Sequence, residues 1–340
     1  MTRIPQLDGL RGVAAMIVVL AHAGNLGLIW RNPQSGHIGV MLFFALSGFL
    51  MAWLYGMRDM TLRGWASYAA RRFFRVYPLF VLAVLWSLWV PRWSYRVTAE
   101  NYLEHLRLAD GVSVLWTIPV EIKYYLVFPF VALAVHAIRS RAAQLTLLVA
   151  LIAFFALVPM PKEHKAVWPF MSYFLAGYAA AVALAWIKER SYPGWLADLA
   201  FACVCAAIVF AMPEVMKALT GYHYKIWSKP LALSLLTGVT VLSCALSPRL
   251  APLLLGNPVT RFIGKVSFSL YLSHMLVLRY VTSHSPDWLD LPLSMIAVFC
   301  VATLLWLIIE RPSQWFGQAV GRLIARGKPV RVQHVPAPAE

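Results

Sequence analysis

The stretch Leu7-Asp8-Gly9-Leu10-Arg11-Gly12-Val13-Ala14-Ala15-Met16-Ile17-Val18-Val19-Leu20-Ala21-His22-Ala23-Gly24 opens an apolar run that continues to Trp30. Crossing the roughly 30 Å hydrocarbon core of a bilayer takes about 20 mostly apolar residues in a helix, and this run is long enough. Its flanks imitate a secretory signal, since Arg3 precedes it and Ala21-His22-Ala23 fits a small-x-small cleavage pattern. Asp8 and Arg11 inside the run, and the apolar segments that follow it, argue instead for a retained first membrane helix.

Nine further segments approach the same length. They run from Ile38 to Met57, Phe73 to Val90, Ile118 to Ala137, Ala142 to Val158, Val167 to Ile187, Trp195 to Met212, Pro230 to Leu246, Phe262 to Val281 and Leu291 to Ile309. The expected fold is therefore an all-α integral membrane protein, a bundle of about ten transmembrane helices. Composition agrees: the 340 residues are 61% hydrophobic and only 13% charged, and the mean hydropathy is +0.68. A soluble chain carries about a quarter charged residues. The formal charge of +16 would suggest nucleic-acid binding in a soluble protein. Here the basic residues punctuate apolar runs, so no nucleic-acid partner is expected.

Short loops rich in Lys and Arg stay in the cytoplasm. With the N-terminus inside, the cytoplasmic segments hold about twice as many Lys and Arg as the opposite side, including Arg58, Arg63, Arg71, Arg72 and Arg75 before the third span. Both termini are expected to be cytoplasmic. Residues 1–326 read as one transmembrane domain and 327–340, rich in Pro and Val, as a disordered cytoplasmic tail. Cys203, Cys205, Cys244 and Cys300 lie in apolar stretches without metal-ligand spacing. They read as buried free thiols, and no metal is expected.

An ionisable side chain inside a membrane is expensive unless paired or placed in a polar cavity, so each one is a candidate for function. Arg11 and His22 are eleven residues apart, which puts them on one helix face about 16 Å from each other. They form a polar track, or else a structural histidine and an arginine snorkelling inward. Glu121 opens the fourth span, with Tyr124 and Tyr125 at the offsets that share its face. Beside an imidazole it would fix the tautomer and raise basicity, as a general base requires; alone, it is a carboxylate favoured by a helix N-terminus. Arg72 and Arg75 suit phosphate oxygens, although topology alone also predicts basic residues there. Tyr271, Ser273 and His274 bring hydroxyl and imidazole groups near the midplane, where a core histidine is an equal reading. Ser47-Gly48-Phe49 also fits a close-packing spot, and Trp116 fits an interfacial belt.

As an ordered set over nearly the whole chain, these segments resemble the acyltransferase 3 family of integral-membrane acyltransferases. Leu7-Asp8-Gly9-Leu10-Arg11-Gly12 followed by His22 is similar to the family's first-helix signature, and Phe43-Phe44-Ala45-Leu46-Ser47-Gly48-Phe49 to its Ser-Gly-Phe segment. Arg72-Phe73-Phe74-Arg75 is similar to its Arg-x-x-Arg element. Trp116-Thr117-Ile118-Pro119-Val120-Glu121 is similar to the Trp-Ser/Thr-x-x-x-Glu segment. Gly264 to His274 resembles the Gly-x-x-Ser-Tyr/Phe-x-x-Tyr-Leu-x-His stretch, and Glu310-Arg311-Pro312 the Glu-x-Pro close. Lys123 departs from many relatives.

The resemblance implies transfer of an acetyl or other short acyl group to a hydroxyl of an extracytoplasmic or lipid-linked carbohydrate, in a bacterial inner membrane. It implies acetyl-CoA as donor, bound by Arg72, Arg75 and Arg11. His22 is the expected general base, with Glu121 as its orienting partner and Arg11 beside it. Ser47, Trp116, Tyr124, Tyr271 and His274 are expected around the substrate. Expected partners are acyl-CoA, a carbohydrate or glycolipid acceptor and membrane lipid. Many family members carry an added extracytoplasmic hydrolase-like domain that this sequence lacks, so either direct transfer or a separate extracytoplasmic acyl-transfer protein is implied. The alternative is a proton-coupled membrane transporter that uses the buried Arg, His and Glu as a relay, though no internal repeat of the kind many transporters show is visible.

Overall fold

A computed structural model describes residues 4–31, 33–56, 60–90, 95–159 and 166–325. Within them the chain is helical and contains no strand. The elements are α1 (Pro5–Asn25), α2 (Ser35–Met51), α3 (Leu62–Trp89), α4 (Tyr102–Leu106), α5 (Thr117–His136), α6 (Arg141–Leu157) and α7 (Met171–Lys188). They continue as α8 (Gly194–Phe210), α9 (Pro213–Thr220), α10 (Pro230–Leu246), α11 (Leu250–Leu255), α12 (Pro258–Thr282), α13 (Asp287–Leu305) and α14 (Arg311–Ala325). Single π-turns extend α2 through Ala52–Gly56 and join α13 to α14 through Trp306–Glu310.

Local chemistry sets several helix starts. The Thr61 side chain accepts from Gly64 N at 3.1 Å and begins α3, and Asn257 accepts from Thr260 N at 3.0 Å ahead of Pro258 in α12. Consequently α3 starts at Leu62 rather than near Phe73, and Arg71, Arg72 and Arg75 lie within the helix instead of at its mouth. The first helix ends at Asn25, short of the expected Trp30. The tail 327–340, together with Arg3 and Arg58 of the sequence reading above, lies outside the described residues.

Among the described residues, six helices are long and apolar enough to cross a membrane, or up to seven if the pair α8 and α9, bent by 82°, is one span. Both α6 and α10 are apolar but shorter. The protein is a multi-pass membrane protein in which backbone polar groups are satisfied inside each helix.

The bundle is organised around α7, which is buried on nearly every side. It packs on α2, α6 and α10; α1 lies between α2 and α12, and α3 packs along α14. A Cβ on Gly48 would come within 1.9 Å of Phe174 O, and one on Gly177 within 1.8 Å of Ala45 O. The α2 and α7 backbones thus touch, as small residues allow in membranes. A Cβ on Gly264 would likewise meet Asp8 O at 1.8 Å, so α1 and α12 are equally close. An aromatic core fills the remaining space, with the Tyr124 ring stacked on Phe174 at 3.9 Å and Phe44 on Phe174 at 4.6 Å.

Three of the four thiols depart from expectation: Cys203 and Cys300 are exposed, Cys205 is half-buried, and Cys244 alone is buried. In a membrane helix an apolar neighbourhood is equally often lipid, and hydropathy does not separate the two.

Candidate active site

The close approach of α1 and α12 sets two polar pairs along a single seam. Near one end, Arg11 Nη2 donates to Ser267 Oγ at 3.0 Å, and Ser267 Oγ donates to Gly264 O at 2.9 Å. Two turns farther along α12, His274 Nε2 lies 3.2 Å from His22 Nδ1, with ring centroids 4.9 Å apart. Arg11 and His22 therefore do share a face, and α12 answers each of them. His22 Nδ1 also meets Val18 O at 2.9 Å, and His274 Nδ1 meets Tyr271 O at 2.7 Å. His274 is fully buried and His22 half-buried.

A cavity of about 60 Å³ opens beside Arg11 and is lined by Arg11, Phe43, Arg75, Glu121, Ser267 and Tyr271 among others. The Tyr271 hydroxyl is tied down, donating to Val114 O at 3.0 Å and accepting from Thr117 Oγ1 at 3.2 Å. Its ring faces the cavity and lies 5.9 Å from that of His274. Tyr271 thus borders both the cavity and His274, while His22 and His274 are not among the cavity-lining residues.

Glu121 takes a different place from the one expected. Its Oε1 accepts from Ser47 Oγ at 3.1 Å and from the Tyr125 hydroxyl, whereas the groups on His22 Nδ1 are Val18 O and His274. The reason is helical spacing: Tyr125 stands four residues on from Glu121 and α2 supplies Ser47 across the gap, while His22 faces α12. Glu121 is therefore not the orienting partner of His22. The Tyr125 ring lies 5.9 Å from the Arg72 guanidinium carbon, and the Tyr55 ring 5.5 Å from it. A chain of contacts runs Ser47, Glu121, Tyr125, Arg72.

A second cavity, about 260 Å³, is lined by Arg71, Arg72, Arg75 and Arg322 with Gln314, Gln318 and Tyr55. Arg71 Nε and Arg72 Nε are buried and make no hydrogen bond. Four guanidinium groups around one volume, two with unmet donors, have the charge and hydrogen-bonding chemistry that suits an anion such as a phosphate. Arg75 lines both cavities, so the two volumes adjoin at its side chain.

The remaining expected residues lie apart from the cavities. Tyr124 is buried in the aromatic core and its hydroxyl has no hydrogen-bond partner. Trp116 is half-buried against Phe170, ring centroids 4.9 Å apart, and near Phe44 at 6.0 Å. His274 presents both ring nitrogens to protein groups rather than to a cavity.

Sequence reasoning missed Gln314, Gln318 and Arg322. Their spacing of four residues puts them on one face of α14, and the amphipathic pattern of Arg311–Ala325 is the signal that would have found them. Glu310, at the end of the π-turn, is almost wholly buried and accepts from Ser269 Oγ at 2.5 Å and Gln314 Nε2 at 2.9 Å. Each π-turn brings a residue to the polar interior, Tyr55 from one and Glu310 from the other, a frequent use of this distortion.

Comparison with known proteins supplies the chemistry. A family model described as "Acyltransferase domain" matches residues 4–311. "Protein 2 in picA locus" of Rhizobium radiobacter is 45% identical over 80 residues, 23% of this chain and 40% of that protein. "Acyltransferase MdmB" of Streptomyces mycarofaciens is 25% identical over 99% of this chain and 97% of its own length. "Peptidoglycan O-acetyltransferase OatA" of Listeria monocytogenes is 25% identical over 151 residues, 37% of this chain and 24% of that protein. The chain thus spans well under half of the first and third of these relatives. No solved structure matches it.

Proposed function

The chain belongs to the acyltransferase 3 family, and from that membership we propose that it is a membrane O-acetyltransferase that moves an acetyl group from cytoplasmic acetyl-CoA to a carbohydrate hydroxyl across the membrane. The observation that carries the proposal is Arg75, whose side chain lines both the basic cleft and the inner cavity. An anionic donor held in the cleft by Arg71, Arg72, Arg75 and Arg322 can pass its uncharged arm inward beside Arg75 toward Arg11 and Tyr271. The relative named as a peptidoglycan O-acetyltransferase supports a carbohydrate acceptor. In this reading the bundle has ten spans with both termini in the cytoplasm of a bacterium, and the basic cleft opens on that side of the inner membrane.

His22 acts as general base on the acceptor hydroxyl. The hydroxyl proton moves to the imidazole, the oxygen forms the ester bond to the acetyl carbon, the carbon–sulfur bond breaks and CoA leaves as the thiol after taking up that proton. Arg11, held by Ser267, supplies positive charge where the carbonyl oxygen becomes negative. Glu121 works on the donor side, fixing Tyr125 and through it the Arg72 guanidinium. Ser47 completes that arrangement, and Tyr271 walls the path between donor and base.

The test is acetyl transfer in inverted membrane vesicles carrying native acceptors, with labelled acetyl-CoA supplied outside. Wild type should label the vesicles, His22→Ala should bind donor without transferring it, and Arg72→Ala/Arg75→Ala should lose donor binding. Equal transfer by wild type and His22→Ala would remove His22 as the base. Substrate accumulation without an acetylated product would make the protein a transporter.

A further inference from the structure

The contact between His22 and His274 says which imidazole nitrogen is available for chemistry. His22 Nδ1 faces Val18 O at 2.9 Å and His274 Nδ1 faces Tyr271 O at 2.7 Å. A carbonyl oxygen only accepts hydrogen bonds, so each Nδ1 carries a proton. A neutral imidazole has one N–H, which leaves His274 Nε2 as a lone pair, 3.2 Å from His22 Nδ1. A doubly protonated His274 would set N–H against N–H at that contact, and would place a cation at a fully buried position. The opposite tautomer of His22 would set its Nδ1 lone pair against both the Val18 oxygen and the His274 lone pair.

We propose that His274 is a positioning residue for acetyl transfer: its Nε2 accepts part of a forked hydrogen bond from His22 Nδ1–H, and this locks His22 in the tautomer whose bare Nε2 takes the proton from the acceptor hydroxyl. The inference rests on the reading of His22 as the base. It also gives the buried His274 a task, since both of its nitrogens are engaged away from the cavity. When His22 Nε2 accepts the hydroxyl proton, the imidazolium keeps its Nδ1–H between Val18 O and His274 Nε2. It then returns the Nε2 proton to the departing CoA thiolate, and both rings end as they began. Holding the orienting hydrogen bond on the nitrogen opposite the reacting one is how an imidazole base is aimed.

Long-range ¹⁵N–¹H spectra of ¹⁵N-histidine-labelled protein in micelles read the tautomer directly, with His22→Gln assigning the His22 signals. Wild type should show His22 protonated on Nδ1 and bare on Nε2, and His274→Phe should add the other tautomer. In vesicles, His274→Phe should lower the maximal rate of CoA release at least about tenfold while the acetyl-CoA KM stays within about twofold. The double variant His22→Ala/His274→Phe should be no slower than His22→Ala. A wild-type His22 protonated on Nε2, or rate losses that multiply in the double variant, would overturn the inference. Full transfer by His22→Ala would instead sink the base reading itself, whatever the spectrum shows.

Discussion

The basic cleft and the histidine pair meet polarity inside a membrane in opposite ways. In the cleft, four arginines surround about 260 Å³ and two of them keep a buried N–H without a partner. At the histidine pair, each Nδ1 is met by a carbonyl oxygen and the two rings are in contact. An unmet donor is costly until a ligand arrives, which suits a binding site. A ring held on one side, with one nitrogen left over, suits a proton carrier. The contrast is the physical ground for proposing binding at one end of the site and chemistry at the other.

The sharpest way to break this contrast is His22→Ala. It should cut the maximal transfer rate by about a thousandfold, within the usual range for a lost general base, and leave acetyl-CoA affinity unchanged by calorimetry. Next is Arg72→Ala/Arg75→Ala, expected to weaken donor binding about a hundredfold through lost charge-assisted hydrogen bonds. Added salt should weaken wild-type binding more than that of the variant. A loss of maximal rate with intact affinity in the arginine variant would erase the division between the two ends.

Smaller effects sharpen it. Gly177→Leu forces a side chain against Ala45 O. It should destabilise the fold by about 1–3 kcal/mol, read as a lower thermal midpoint in detergent, with binding and transfer falling together. Arg322→Ala, at the edge of the cleft, should raise the acetyl-CoA KM only about threefold to fivefold, as for a partly exposed ion contact. An unchanged KM would remove α14 from the donor site.

The sequence made some of this legible and hid the rest for physical reasons. Hydropathy located the long apolar helices but not the amphipathic α14, and the eleven-residue interval of Arg11 and His22 put both on the face that α12 meets. Helical periodicity also paired Glu121 with Tyr125. It does not say which helix stands opposite, so the carboxylate expected beside His22 instead meets Ser47 of α2. Tyr124 shares the Glu121 turn, but its ring turns into the core against Phe174. The basic cleft was half visible. Arg72 and Arg75 stand out, whereas Arg322 lies far along the chain on a helix that polar residues disguise. The π-turns left no signature in the spacing.

The contact between Gly264 and Asp8 O acts as an index mark for the whole seam. A helix that slides by one residue moves about 1.5 Å and turns about 100°, so α1 has one register in which Gly264 faces Asp8. In that register Arg11 reaches Ser267, and His22 meets His274 two turns farther on. A hydrogen atom in place of a methyl group thus calibrates two distant bonds at once, and a larger side chain there would put both out of alignment together while leaving every participating residue in the sequence.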